Sequence, residues 1–156
     1  MKKFLCAVVS MVFIFVFSGC SNNYSGKKYD IQKAGTEIVA QIESASHMTQ
    51  VNDDILMSFY GIDKADVNDY FALISTDSTK QDEVIIAEAK DSQSFEKIKE
   101  KIQTRYDSKY AQTKDYLPEE AKLIEECKIE TDGNYIWMFI SADAEKMKEI
   151  LLSTAE

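Results

Sequence analysis

The chain has 156 residues and carries 18 Lys and Arg against 27 Asp and Glu, a formal charge of −9. An acid excess of that size favours solubility and repels polyanions, which excludes nucleic acid as a partner, since neutralising phosphates takes clustered Lys and Arg. Three cysteines and one histidine are poor material for a zinc site, which wants several N or S ligands, and no metal or cofactor is expected.

The first element is a targeting signal. Lys2 and Lys3 precede a mainly apolar run of fourteen residues, Phe4 to Phe17, and the small pair Ser18-Gly19 leads into Cys20. The run is shorter than the roughly 18 to 20 residues that span a hydrocarbon core, so it predicts export more readily than a membrane span. The step into Cys20 resembles the lipobox of bacterial lipoproteins, with Phe17 where that pattern usually has Leu. The resemblance implies that the Cys20 thiol carries diacylglycerol, that the signal peptide 1–19 is cut away, and that the new amino group takes a fatty acyl chain such as palmitate. An ordinary cut leaving a free thiol, and an uncleaved anchor, are the alternatives. Two or more chains hold a protein firmly at a bilayer, at about 0.8 kcal/mol per buried methylene. The expected address is the extracytoplasmic face of the cell membrane.

Residues 20–29 read as the lipidated N-terminus and a polar linker, and 30–156 as one α+β domain, long enough for a single core. Without residues 1–19 the formal charge becomes −11, because two lysines and no acids leave with them. Cys127 is then the one cysteine of the domain, so no internal disulfide is expected.

Within the domain, Ile31, Ala34, Ile38, Ile42 and Ala45 recur at helical spacing and predict an amphipathic helix from Ile31 to Met48 that needs a surface to cover. A brief helix follows, stopped at Gly61, a residue suited to a left-handed terminus. DYFALIST and EVIIAEAK, on either side of a polar loop, read as two strands. Asp91 and Ser92 can cap the next helix, whose stripe is Phe95, Ile98, Ile102 and Tyr106 and which runs on toward Gln112. Pro118 suits the first turn of a short helix. Alternation from Cys127 to Ser141 around Asp132-Gly133 predicts a hairpin, and a last helix extends from about Asp143 to Ser153.

Strand, turn, strand and helix thus occur twice, and FEKIKEKI and AEKMKEIL echo each other weakly, as shared helix grammar alone would make them do. The expected fold is a four-stranded antiparallel sheet from two strand-strand-helix units, helices on one face, with an extra N-terminal amphipathic helix. FYGID at 59–63, DYLPEEAKLIE at 115–125 and GNYIWMFISADAEK at 133–146 resemble domain of unknown function 4358, a family carried on bacterial lipoproteins, mostly of Gram-positive anaerobes. The resemblance implies an exported, lipid-anchored α+β domain and brings no activity or site residues with it.

No catalytic set emerges from the spacing. His47 stands near the end of the first helix, and Cys127 in an alternating strand reads first as a small buried hydrophobe rather than a nucleophile. Asp63 to Asp69 and Ser75 to Glu83 are acid-rich, but their spacing departs from a calcium loop and suits solvated turns. If Asp132 and Gly133 are the turn residues, Ile129 opposes Ile136 and Cys127 opposes Met138, leaving Tyr135, Trp137 and Phe139 on the reverse face. That aromatic face is the candidate binding surface, but the favoured reading is a floor for the first helix, which needs a place to dock. Tyr106, Tyr110 and Tyr116 read as packing tyrosines before they read as a binding ladder. The sequence therefore points to a lipid-anchored, non-enzymatic binding or accessory module, with an envelope protein, peptide or small molecule as partner. The alternatives are an envelope enzyme whose site assembles from distant residues, and a structural spacer in an envelope complex.

Overall fold

A computed structural model describes residues 26–156; Cys20 and residues 1–19 lie outside the described residues. The order of elements is α1 (Ile31–Gln41), α2 (Glu43–Ser46), β1 (Thr49–Gln50), α3 (Asp53–Ile55) running into a π turn (Leu56–Tyr60), β2 (Val67–Ile74), β3 (Glu83–Ala89), α4 (Ser92–Thr113), α5 (Pro118–Glu126), β4 (Ile129–Asp132), β5 (Tyr135–Ile140) and α6 (Ala144–Ser153). The class is α+β, as expected. None of the helices described is long and apolar enough to cross a membrane.

The strands form one antiparallel sheet of five, in the order β1-β2-β3-β5-β4. The fifth strand is β1, two residues that pair with Leu73 and Ile74; so short a segment carries no readable alternation. Local rules set the rest. Asp30 caps α1 by accepting the Lys33 N–H, Asp91 caps α4 by accepting the Ser94 N–H, and Pro118 opens α5. Gly61 closes the π turn at φ 67°. The long first helix of the sequence breaks at Ile42, which adopts an extended backbone between α1 and α2, yet Ile42 and Ala45 stay buried with the α1 stripe.

Both faces of the sheet are covered, and the correction to the expected layout is α6, which joins α1 on the face opposite α4 instead of sharing the face of α4. On one side α1 and α6 pack Ile38, Met147 and Leu151 onto Phe71, Val84, Ile86, Tyr135, Trp137 and Phe139. On the other, α4, α5 and the π turn pack Ile98, Ile102, Ile124 and Leu56 onto Ile85, Ala87, Ile136 and Met138. The arrangement also settles the internal echo. Because β3 and β5 are antiparallel neighbours, the two-fold axis that exchanges the hairpins is normal to the sheet and would put α4 and α6 on one face. They lie on opposite faces, so the echo is helix grammar and not a structural repeat.

The hairpin turn sits one residue later than expected. Asp132 pairs with Tyr135, leaving Gly133 and Asn134 as the loop, with Gly133 at φ 58° and no positive φ at Asn134. Glycine at the first central position is the type II′ solution. Ile129 accordingly faces Met138, not Ile136. Each partner moves by two residues, an even step, so each side chain keeps its predicted face.

Candidate functional site

The aromatic face is the first candidate, and it is closed. Tyr135, Trp137 and Phe139 are exposed by only 2%, 3% and 4%, under α1 and α6, so of their two readings the floor for the first helix holds and the open binding surface does not. The cause is the demand of two amphipathic helices for an apolar floor, which three large rings supply. Tyr29 adds an edge-on ring, 5.0 Å from Tyr135 and 6.2 Å from Trp137.

Other sequence candidates are likewise placed apart. His47 is exposed at the end of α2, and Cys127 is half-buried where α5 passes into β4. Among the described residues no three His, Cys, Asp or Glu side chains converge on a metal-sized point. The acid-rich stretches serve as caps and pairs instead. Asp63 accepts the Ala65 N–H, Asp66 pairs with Lys97, Asp77 accepts both donors of Thr79, and Glu120 receives the Gln81 N–H and the Lys80 ammonium. Tyr106 and Tyr110 pack at the edge of the second core, while Tyr116 is exposed.

A groove runs beside Cys127. It comprises a hollow of about 220 Å³ between the end of α5 and the start of α6, continuing into one of about 70 Å³ toward Lys128 and Glu130. Glu126, Glu145 and Phe139 line both parts, and the Lys148–Glu130 pair closes the narrow end. Burial pushes the Cys127 thiol up to about 12, with the charges of Glu83 and Glu130 acting the same way. A thiol held protonated is a small hydrophobe in a wall, since the nucleophile is the thiolate.

The feature that sequence reasoning missed is a buried ion cluster. Glu83, at the start of β3, is fully buried; Arg105 donates to both its oxygens at 3.1 and 2.8 Å, and Lys109, one turn further along α4, donates at 2.8 Å. Burial alone would raise the Glu83 carboxyl, but the hydrogen bonds and charges of Arg105 and Lys109 outweigh it and hold the group below the ordinary glutamate range. The Arg105 guanidinium also stacks over Phe59 at 5.2 Å and Tyr60 at 5.9 Å. The buried Tyr60 hydroxyl makes no hydrogen bond of good geometry; burial first, then the neighbouring Glu83 charge, pushes its ionisation well above the usual tyrosine value. One signal was available. Arg105 is the single arginine among 18 basic residues, and a rigid two-pronged donor is what a buried carboxylate needs.

The family model described as Domain of unknown function (DUF4358) matches residues 40–141, about two-thirds of the chain. That span contains the whole sheet with α4 and α5, whereas α6 and nearly all of α1 fall outside it. No curated protein and no solved structure matches the chain.

Proposed function

The chain belongs to the DUF4358 family, and on that premise we propose that it is a lipid-anchored extracytoplasmic lipoprotein serving as a non-enzymatic binding or accessory module of the cell envelope. The observation that carries the reading is Cys20, placed behind Ser18-Gly19, a fourteen-residue apolar run and two lysines. Its binding half draws support from the groove beside Cys127. At about 220 Å³ its main hollow is smaller than the ~300 to 1,000 Å³ of small-molecule pockets, which favours one side chain of a protein or peptide partner. The non-enzymatic half draws support from the state of the reactive groups: Cys127 is held protonated, and Glu83 is tied to two cations.

Mass spectrometry of the protein from bacterial membranes tests the anchor. A mature chain beginning at acylated Cys20 is expected, and Cys20→Ala should move the protein out of the membrane fraction. An unmodified Cys20, or a wild-type protein recovered only in the cytosol, overturns the reading. Crosslinking in intact cells, with the photoreactive group placed at Glu145, should capture an envelope protein or peptide.

A further inference from the structure

Resting on the proposed anchor, the geometry points to a fixed posture: we propose that the domain meets the lipid surface with its β4–β5 turn and holds its β2–β3 loop and the Cys127 groove at the opposite, outward end. The packed chain begins earlier than the linker expected at 20–29 would allow. A Cβ added to Gly26 would lie 2.7 Å from the Gly133 Cα, so the two backbones touch at the hairpin turn. The Lys28 carbonyl accepts the Glu156 N–H at 2.9 Å, and Tyr29 pairs with Ala155. Tyr29 is itself buried, its hydroxyl donating to Asp132. Only six peptide steps separate Cys20 from Gly26, a reach of about 20 Å at full extension. The attachment point of the tether is thus set by the fold, and its length is short.

Strand register then decides what lies near and far. Glu88 pairs with Tyr135 beside the hairpin turn, and Glu83 pairs with Ile140 at the other end. Five residue steps along β3 separate these two pairs by about 17 Å, close to the tether's whole reach. Lys90 and Asp91 share the turn end, while the β2–β3 loop and the Cys127 groove share the far end. Lys27 and Lys28 are exposed beside the tether, and Asp77, Asp82, Glu119 and Glu120 lie at the far end. But Asp30, Asp69, Glu88 and Glu156 surround Lys28 at the turn end, so the posture rests on where the tether leaves the fold and not on charge.

The posture is testable with the full acylated chain, purified from membranes and reconstituted into phosphatidylcholine–phosphatidylglycerol vesicles carrying a headgroup spin label. In a Cys127→Ser background, Lys90→Cys and Ser78→Cys each place one fluorophore at an exposed position, at the turn end and the far end respectively. With the Glu88 and Glu83 ends of β3 about 17 Å apart and positions 90 and 78 beyond them, quenching at position 90 should exceed that at 78 by about threefold or more. Equal quenching, or stronger quenching at 78, with the vesicles still carrying protein, overturns the posture and leaves the anchor standing. Failure of the protein to float with the vesicles overturns both. Tyr29→Ala, which frees the clamp, should shrink the difference between the sites, while Tyr29→Phe, which keeps the ring in the core, should preserve it.

Discussion

The two faces of the sheet are each covered by an apolar cluster and are held in different ways. Beneath α1 and α6 the contact is aromatic and free of charge, and its polar loose end is the unpaired Trp137 Nε1. Beneath α4 the apolar layer ends at a carboxylate locked to a guanidinium and an ammonium. Apolar packing is non-directional, so it tolerates small slides of a helix; two cations one turn apart on α4 meeting one fixed carboxylate do not. The uncharged face is closed by shape, and the other face by shape plus a lock on register. The matched family span includes the strands and helices of the locked face but omits nearly all of both helices that cover the aromatic one.

The sharpest way to break this contrast is to remove the lock. Glu83→Ala leaves a buried Lys109 and a largely buried Arg105 without an anion, and should cost about 3–5 kcal/mol in urea unfolding. Replacing all three charged groups at once, by Glu83→Leu, Arg105→Met and Lys109→Met, should recover most of that loss, because desolvation of the ions disappears with them. A triple variant as unstable as the single one would show that the cluster supplies net stability rather than register. The pH dependence has a defined sign. The Glu83 carboxyl is lowered in the folded state, so its contribution is complete above the ordinary glutamate value of 4.5 and fades as pH falls through the lower folded value. The gap between wild type and Glu83→Gln should therefore narrow below that pH in acid titrations followed by circular dichroism.

The opposite face should fail by crowding instead of by charge. A Cβ at Gly35 would sit 2.3 Å from the Phe71 ring, so α1 approaches the sheet there only because glycine has no side chain. Gly35→Ala should cost about 1–3 kcal/mol, with a lower urea midpoint and little change at acid pH. Loss of pH dependence in this variant would mean that the two faces are coupled through the sheet.

The contrast also explains what could be read in advance. Period decided most of the fold: the α1 stripe from Ile31 to Ala45 is buried as spaced, and Tyr135, Trp137 and Phe139 share one face as alternation requires. What period could not decide was which face each helix would choose, since α4 and α6 present nearly the same grammar. The Glu83 cluster was hidden for a related reason. A glutamate before a strand, and an arginine and lysine on a helix, each look like solvent-facing charges until the register places them together. Length hid β1, and a turn of two residues set either side of Gly133 looks the same in alternation, because both choices preserve the faces.

The smallest effect belongs to Cys127, on the margin of the locked face, and it tests how far burial governs the groove. With its thiol raised to about 12, roughly one part in 10⁴ is thiolate at pH 8, against about a quarter of a free thiol near 8.5. Alkylation of the native protein by a small iodoacetamide should therefore run on the order of 1,000-fold slower than in urea, before any steric protection is counted. The pH profile separates chemistry from access. If protonation limits the rate, it climbs about tenfold per pH unit from 8 to 11, where an unperturbed thiol levels off above about 9. A rate that is slow but flat with pH would mean that opening of the wall between α5 and α6 controls the reaction. The burial argument would then have to give way to a dynamic one. Cys127→Ala should change stability by about 1 kcal/mol or less, because the half-buried sulfur fills one side of a groove already open to solvent.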